Sequence, residues 1–194
     1  MAEPLSEKDL FTVDWSRIPA PQNDGGADHL EGTRLPAIAL AATDGRTTDL
    51  AALPGRSVVY TYPMTGRPGV PLPEGWDMIP GARGCSPQSC GFRDLMAELR
   101  AAGAAHVCGL STQDTTYQRE AAERLHLPFP LLSDEGRGLT RALRLPTLTV
   151  EGRTLLARSA WIVDDGRIRH VLYPVFPPDR NAEDVLVWLK AHPR

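Results

Sequence analysis

The stretch "RSVVYTY", residues 56 to 62, places β-branched and aromatic residues in both of its alternating sets. A half-exposed strand alternates apolar and polar residues, so a strand apolar on both sides must be covered on both faces. That requirement predicts a central sheet, largely parallel, with helices packed on either side.

The segments that follow fit such a sheet. "AAHVCGLS" reads as a strand, "TTYQREAAERLH" as a helix with a Thr N-cap, "FPLLSD" as a strand and "GRGLTRALRL" as a short helix. Strand and helix alternate as in βαβ units. "RLPAIAL" reads as a further strand ahead of them. From Gln88 to Ala102, Phe92, Leu95, Met96 and Leu99 follow the spacing of one helical face, and Gly103 supplies the stop. In "ARSAWIVDDGRIRHVLY" two strand-like runs flank Asp165-Gly166, a dipeptide suited to a type I′ hairpin. The last run, "PPDRNAEDVLVWLKAH", offers Asp179 or Asn181 as N-cap and places Val185, Leu186 and Leu189 on one face of a closing helix.

At 194 residues one α/β domain is expected. Residues 1–30 end in the polar, Gly-rich "PQNDGGADHLEG" and read as an arm or linker, so the domain is expected over 31–194. The net charge is −3, and the 21 basic residues are nearly all arginines scattered along the chain, which argues against a nucleic-acid partner. No apolar run approaches the length of a membrane span, and the N-terminus has no secretory h-region, so a cytoplasmic location without membrane association is expected. Nothing in the sequence distinguishes a monomer from a homodimer.

The three cysteines are an odd number for a disulfide framework. Two of them, Cys85 and Cys90, stand five positions apart in "GARGCSPQSCGFRD". If a helix starts near Cys85, its thiol faces unpaired backbone N–H groups and the positive end of the helix dipole, which favour the thiolate and make Cys85 the nucleophile. Within a helix the two Cα atoms lie roughly 8.6 Å apart, beyond the ~7 Å that a disulfide spans. A Cys85–Cys90 bond therefore requires the first turn to unwind, and Pro87 suits a first turn that does so. Such a two-state element fits a cysteine oxidised to sulfenic acid and captured by a second thiol. On spacing alone, plain burial of both cysteines stays open, and so does a metal site, although the sequence lacks a paired Cys-x2-Cys or His-x3-His knuckle. Cys108 sits mid-strand among apolar neighbours and reads as an inert buried thiol.

In "GCSPQSCGFRD", together with "SVVYTYP", "HVCGLSTQD", "LPFPLLSDEG" and "ARSAWIVDDGRI", the chain resembles the peroxiredoxins, and within them the Q-type or bacterioferritin comigratory group. The resemblance spans about residues 32 to 170 and implies a thioredoxin fold, with a central mixed sheet flanked by helices. It implies a thiol-dependent peroxidase acting on hydrogen peroxide and organic hydroperoxides, needing no metal, flavin or haem and re-reduced by a thioredoxin-like protein. Cys85 is then the peroxidatic cysteine, Cys90 the resolving one, and Arg158 the arginine facing thiolate and peroxide.

One departure stands out. The family places a Thr or Ser three residues before the nucleophile and a Pro seven before it, whereas this chain has Ala82 and Met78 there. An insertion of about 15 residues after Pro63 accounts for the shift, with Pro63 and Thr65 as the displaced Pro and Thr and the loop returning Thr65 to the thiolate. Alternatively Pro80 or Ser86 fills in, or the hydroxyl is missing. Pro63, Ala82, Ser86 and Trp76 are the expected substrate-pocket residues, with Val70, Leu72, Met78 and Ile79 as further candidates for its wall or for a cover over the sheet end. Two rival functions share the same cysteines: a thioredoxin-fold disulfide oxidoreductase, and a redox sensor switched by the Cys85–Cys90 bond.

Overall fold

A computed structural model of the chain describes residues 6–194. A seven-stranded mixed sheet carries the fold, ordered from residues 47–49 at one edge through 39–42, 131–133, 106–111, 56–61 and 159–164 to 167–172 at the other. At its centre β3 (Arg56–Thr61) runs parallel to β4 (His106–Ser111), and β4 parallel to β5 (Leu131–Ser133). β1 (Ala39–Ala42) and β2 (Thr47–Asp49) extend one edge antiparallel; β8 (Ser159–Asp164) and β9 (Arg167–Leu172) extend the other.

All six residues of β3 are buried. Val58 and Tyr60 face a core shared with α2 (Cys85–Asp94), α3 (Met96–Ala101) and the C-terminal α6 (Asn181–Ala191), through Phe92, Leu99, Val185 and Leu189. Val59 faces the opposite core, with Leu110, Trp161 and Leu139 of α5 (Gly138–Leu143). The two apolar sets of "RSVVYTY" thus serve two layers. Tyr60 stacks on Phe92 with ring centroids 4.4 Å apart, seating the cysteine helix on the central strand. At the far end of β3, Arg56 donates to Asp164 at 2.8 Å and tethers β3 to β8.

Several boundaries depart from the sequence reading. The helix with its apolar stripe over 88–102 starts at Cys85, the start the cysteine argument supposed, but is bent at Leu95 into α2 and α3. The Leu95 N–H to Gly91 and Leu99 N–H to Leu95 bonds cross the bend, so the apolar stripe stays on one core. Periodicity reports the stripe and not the local dihedrals. α4 (Thr115–Arg124) is capped by Asp114, whose carboxylate accepts the Tyr117 N–H at 2.8 Å, rather than by a threonine. "RLPAIAL" joins the main ladder only from Ala39. β6 (Thr147–Val150) and β7 (Arg153–Leu156) form an unanticipated separate ribbon around Glu151-Gly152, both at positive φ. The hairpin between β8 and β9 turns on Asp165 and Gly166 as the sequence predicts, at φ 47° and 74°. A Cβ on Gly166 would also stand 2.5 Å from the Ala51 carbonyl oxygen.

From residue 6 onward the N-terminal arm lies against the domain. It contains α1 (Glu7–Phe11), and Leu10, Ala27 and Leu30 are buried, the last two in the same core as Trp161. Among the described residues no helix is long and apolar enough to cross a membrane.

Candidate active site

Cys85 is the first residue of α2, at the end of the loop that leaves β3. Gly84 before it adopts φ 105°, a conformation that lets the chain turn sharply into the helix. The thiol is 4% exposed. The first-turn N–H groups of α2 give this end a partial positive charge.

Arg158 approaches from the residues leading into β8. Thr61 fixes them: its hydroxyl donates to the Ala157 carbonyl at 2.7 Å and accepts the Ser159 N–H at 2.8 Å, while Trp161 Nε1 donates to Ser159 Oγ at 2.9 Å. The buried guanidinium is held from several sides. Nη2 donates to Cys85 Sγ at 3.3 Å and to the carbonyls of Gly81, Ala82 and Arg83 at 3.3, 3.1 and 3.1 Å, and Nη1 donates to Gln88 Oε1. Its Nε is buried with no hydrogen-bond partner among the described residues. A permanently charged planar group thus touches the sulfur and keeps a further donor in reserve.

Gln88, one turn beyond Cys85, continues the network. Its Nε2 donates to Asn181 Oδ1 at 2.9 Å, tying α2 to the first residue of α6. The Asn181 side chain therefore accepts from Gln88, and Arg180 occupies the N-cap position of α6. Tyr62 also belongs to the site: its phenol accepts from Gln118 Nε2 at 3.2 Å, and burial, with the Cys85 sulfur nearby, pushes its pKa upward, keeping it neutral.

Cys90 lies in the same helix, buried and free. Burial pushes its thiol up from the ordinary range. As long as α2 is intact, Cys90 is thus a protonated spectator, a helical step beyond disulfide reach. Cys108 is buried in β4, and burial alone pushes it up to about 12.

Thr65 is fully buried. Its N–H and its hydroxyl donate to Gln113 Oε1 at 2.9 and 3.1 Å, so it hangs on the loop after β4. Pro63 is buried just ahead of it. Ala82 is fully buried, and its carbonyl accepts from Arg158 and, at 3.7 Å, from the Cys85 thiol. Ser86 is buried in the first turn. Trp76 packs with Met64, Ala82, Val150 and Leu155, so the long loop carries a small core of its own, shared with the β6–β7 ribbon. Leu72 and Ile79 pack against it, while Val70 and Met78 are 42% and 67% exposed.

Cys85, Arg158 and Ala82 meet at one end of the sheet, while Cys90 stands further along α2. The sequence reading missed Gln88, Gln113, Asn181 and Tyr62. Gln88 was accessible as the residue three beyond the nucleophile on the same helix face. Gln113 was accessible as a polar residue just past the carboxyl end of a parallel strand. Asn181 reaches the site only through tertiary packing.

A mixed thioredoxin-like sheet with an arginine-paired cysteine opening a helix defines a cysteine-dependent oxidoreductase. Residues 30–186 match the family model described as Redoxin. The chain is 32% identical over 166 residues to peroxiredoxin Bcp of Escherichia coli, covering 83% of this chain and 96% of that one. It is 31% identical over 163 residues to the chloroplastic peroxiredoxin Q of Oryza sativa subsp. japonica, covering 83% and 67%. Among solved structures, a peroxiredoxin Q of Xanthomonas campestris superposes with a TM-score of 0.63 at 27% identity, covering 81% of this chain and 95% of that one. The chain belongs to the Redoxin family, among the peroxiredoxins of the Q and Bcp kind.

Proposed function

We propose that this chain is a thiol-dependent peroxidase in which Cys85 attacks hydrogen peroxide or an organic hydroperoxide. The observation that carries the reading is the Arg158 Nη2 to Cys85 Sγ contact of 3.3 Å at the start of a helix. Arg158 and the helix end offset the thiolate's charge, and the unpartnered Arg158 Nε is a donor for the peroxide oxygens. Sulfur attacks the distal oxygen as the O–O bond breaks. Cys85 becomes a sulfenic acid, and the other oxygen leaves, protonated, as water or alcohol. Thr65 turns its hydroxyl from Gln113 toward the peroxide, in place of the hydroxyl missing at position 82.

The first turn of α2 then unwinds, Cys90 attacks the sulfenic sulfur, and water leaves as the Cys85–Cys90 disulfide forms. A thioredoxin-like dithiol reduces that disulfide and restores the helix, a cycle suited to a reducing cytoplasm. Burial of both thiols supports this reading over dithiol exchange from the folded state, because a peroxide is small enough to reach a recess that a protein disulfide is not. Trapping the oxidised thiol of a Cys90→Ser protein with a sulfenic-acid-specific dione, followed by peptide mass spectrometry, tests the assignment. The adduct is expected on Cys85; an adduct on Cys108 alone refutes it.

A further inference from the structure

The N-terminal arm crosses the active-site loop at three glycines. A Cβ on Gly66 would stand 2.7 Å from Leu10 Cδ2, one on Gly81 would stand 3.6 Å from Pro21 Cβ, and one on Gly84 would stand 2.6 Å from Trp15 Cη2. Those are the residue after Thr65, the residue before Ala82 and the residue before Cys85.

Trp15 is the best anchored of the three. Its Nε1–H donates to Asp179 at 2.8 Å, and its ring meets Phe176 edge-on with centroids 6.0 Å apart. Asp179 lies in the 3-10 turn Pro178–Arg180, which itself grips α2 at two places. Pro178 Cγ would be 2.7 Å from a Gly84 Cβ, and the Asp179 carbonyl oxygen 3.1 Å from a Gly91 Cβ. Trp15 and Pro178 thus close over Gly84, the residue just before α2, and Asp179 joins them.

Joining Cys85 to Cys90 requires that same first turn to unwind, as Cys85 leaves its helical position and Gly84 moves with it. We infer that Trp15, clasped to Asp179 and Phe176, is a positioning residue that holds the first turn of α2 closed and so sets how fast the Cys85 sulfenic acid is resolved. The inference rests on the peroxidase reading above. The sulfenic acid has two fates. Unwinding lets the Cys90 thiol displace hydroxide, which takes up the thiol's proton and leaves as water, giving the disulfide. Alternatively a second hydroperoxide transfers one oxygen, is itself reduced to water or alcohol, and leaves Cys85 as sulfinic acid. A tighter clasp favours the second fate.

Rapid-quench mass spectrometry on the reduced full chain separates the steps by following Cys85 sulfenic acid, disulfide and sulfinic acid after hydrogen peroxide is added. In Trp15→Ala, sulfenic acid is expected to form at a rate within about twofold of wild type. Disulfide formation is expected to be about fivefold faster or more, and the sulfinic fraction at excess peroxide smaller. Asp179→Ala, which keeps the ring and removes its hydrogen-bond acceptor, is expected to shift resolution in the same direction by a smaller factor, and Trp15→Phe to lie between wild type and Trp15→Ala. If Trp15→Ala does not fold, the Asp179→Ala result decides. Resolution rates within about twofold of wild type in the folded variants overturn the clasp while leaving the peroxidase reading intact. No sulfenic acid on Cys85 in the wild type overturns the peroxidase reading itself.

Discussion

Replacing Arg158 by methionine removes the charge and the fork while keeping most of the apolar stem. In the structure Nη2 serves Cys85 Sγ and three loop carbonyls, and Nη1 serves Gln88. A hydrogen bond to a charged group contributes about 1.5–3 kcal/mol. Losing the one to the thiolate, which persists in the transition state as charge moves onto the peroxide, slows Cys85 oxidation by about 10–150-fold. The carbonyls of Gly81, Ala82 and Arg83 lose a shared donor as well, at about 1–3 kcal/mol for each that is left buried without a partner. Arg158→Lys keeps the charge but cannot hold the loop carbonyls and Gln88 at once. Its rate is expected between the methionine variant and wild type. The assay is rapid-quench trapping of Cys85 sulfenic acid in a Cys90→Ser background, with circular dichroism to show that the helices persist. A folded Arg158→Met protein oxidised within about threefold of the parent rate would refute the role given to Arg158.

Thr65→Val removes the hydroxyl while keeping the shape, and is expected to slow peroxide reduction about tenfold or more by removing an oriented donor; an unchanged rate constant for hydrogen peroxide would show that the loop does not supply the missing hydroxyl. Gly84→Ala places a side chain at φ 105° and 2.6 Å from Trp15, costing about 2–5 kcal/mol in strain and overpacking. Its thermal midpoint in the reduced state is expected to fall by about 5–15 °C, and an unaltered midpoint contradicts the close packing. The Cys90 thiol, raised by burial in folded α2, has its ordinary value once the turn unwinds. Folded α2 keeps this contribution in full below the ordinary thiol range of about 8.5 and loses it as pH climbs from there toward the raised value. Disulfide formation is therefore expected to accelerate as pH climbs through that range, measured as the loss of free thiols after stoichiometric oxidation. A rate that is flat or falls there would contradict it.

The parts of the fold legible in the sequence were those written as composition. β3 was readable because both of its residue sets are apolar, and the β8–β9 turn because Asp165-Gly166 supplies two positive φ values. The Cys85–Cys90 geometry followed from helical rise alone. The β6–β7 ribbon was missed although Glu151-Gly152 turns it in the same way, because its two strands are only four residues each. The seat of the arm was not legible: Leu10 and Trp15 are isolated apolar residues with little periodicity, and what they pack against, Gly66 for Leu10 and Gly84, Phe176 and Asp179 for Trp15, lies far along the chain. The link from Asn181 through Gln88 to Arg158 was hidden for a related reason, since its members lie on two helices and the loop before β8 and are aligned only by packing.

The central claim is that Cys85 is the peroxide-reducing thiol and Cys90 its partner in turnover. Peroxide-dependent NADPH consumption, coupled through thioredoxin and thioredoxin reductase, tests it on wild type, Cys85→Ser and Cys90→Ser. Wild type is expected to turn over, Cys85→Ser to fall to the uncatalysed background, and Cys90→Ser to oxidise once at Cys85 with little or no thioredoxin-coupled turnover. Full activity in Cys85→Ser would contradict the account.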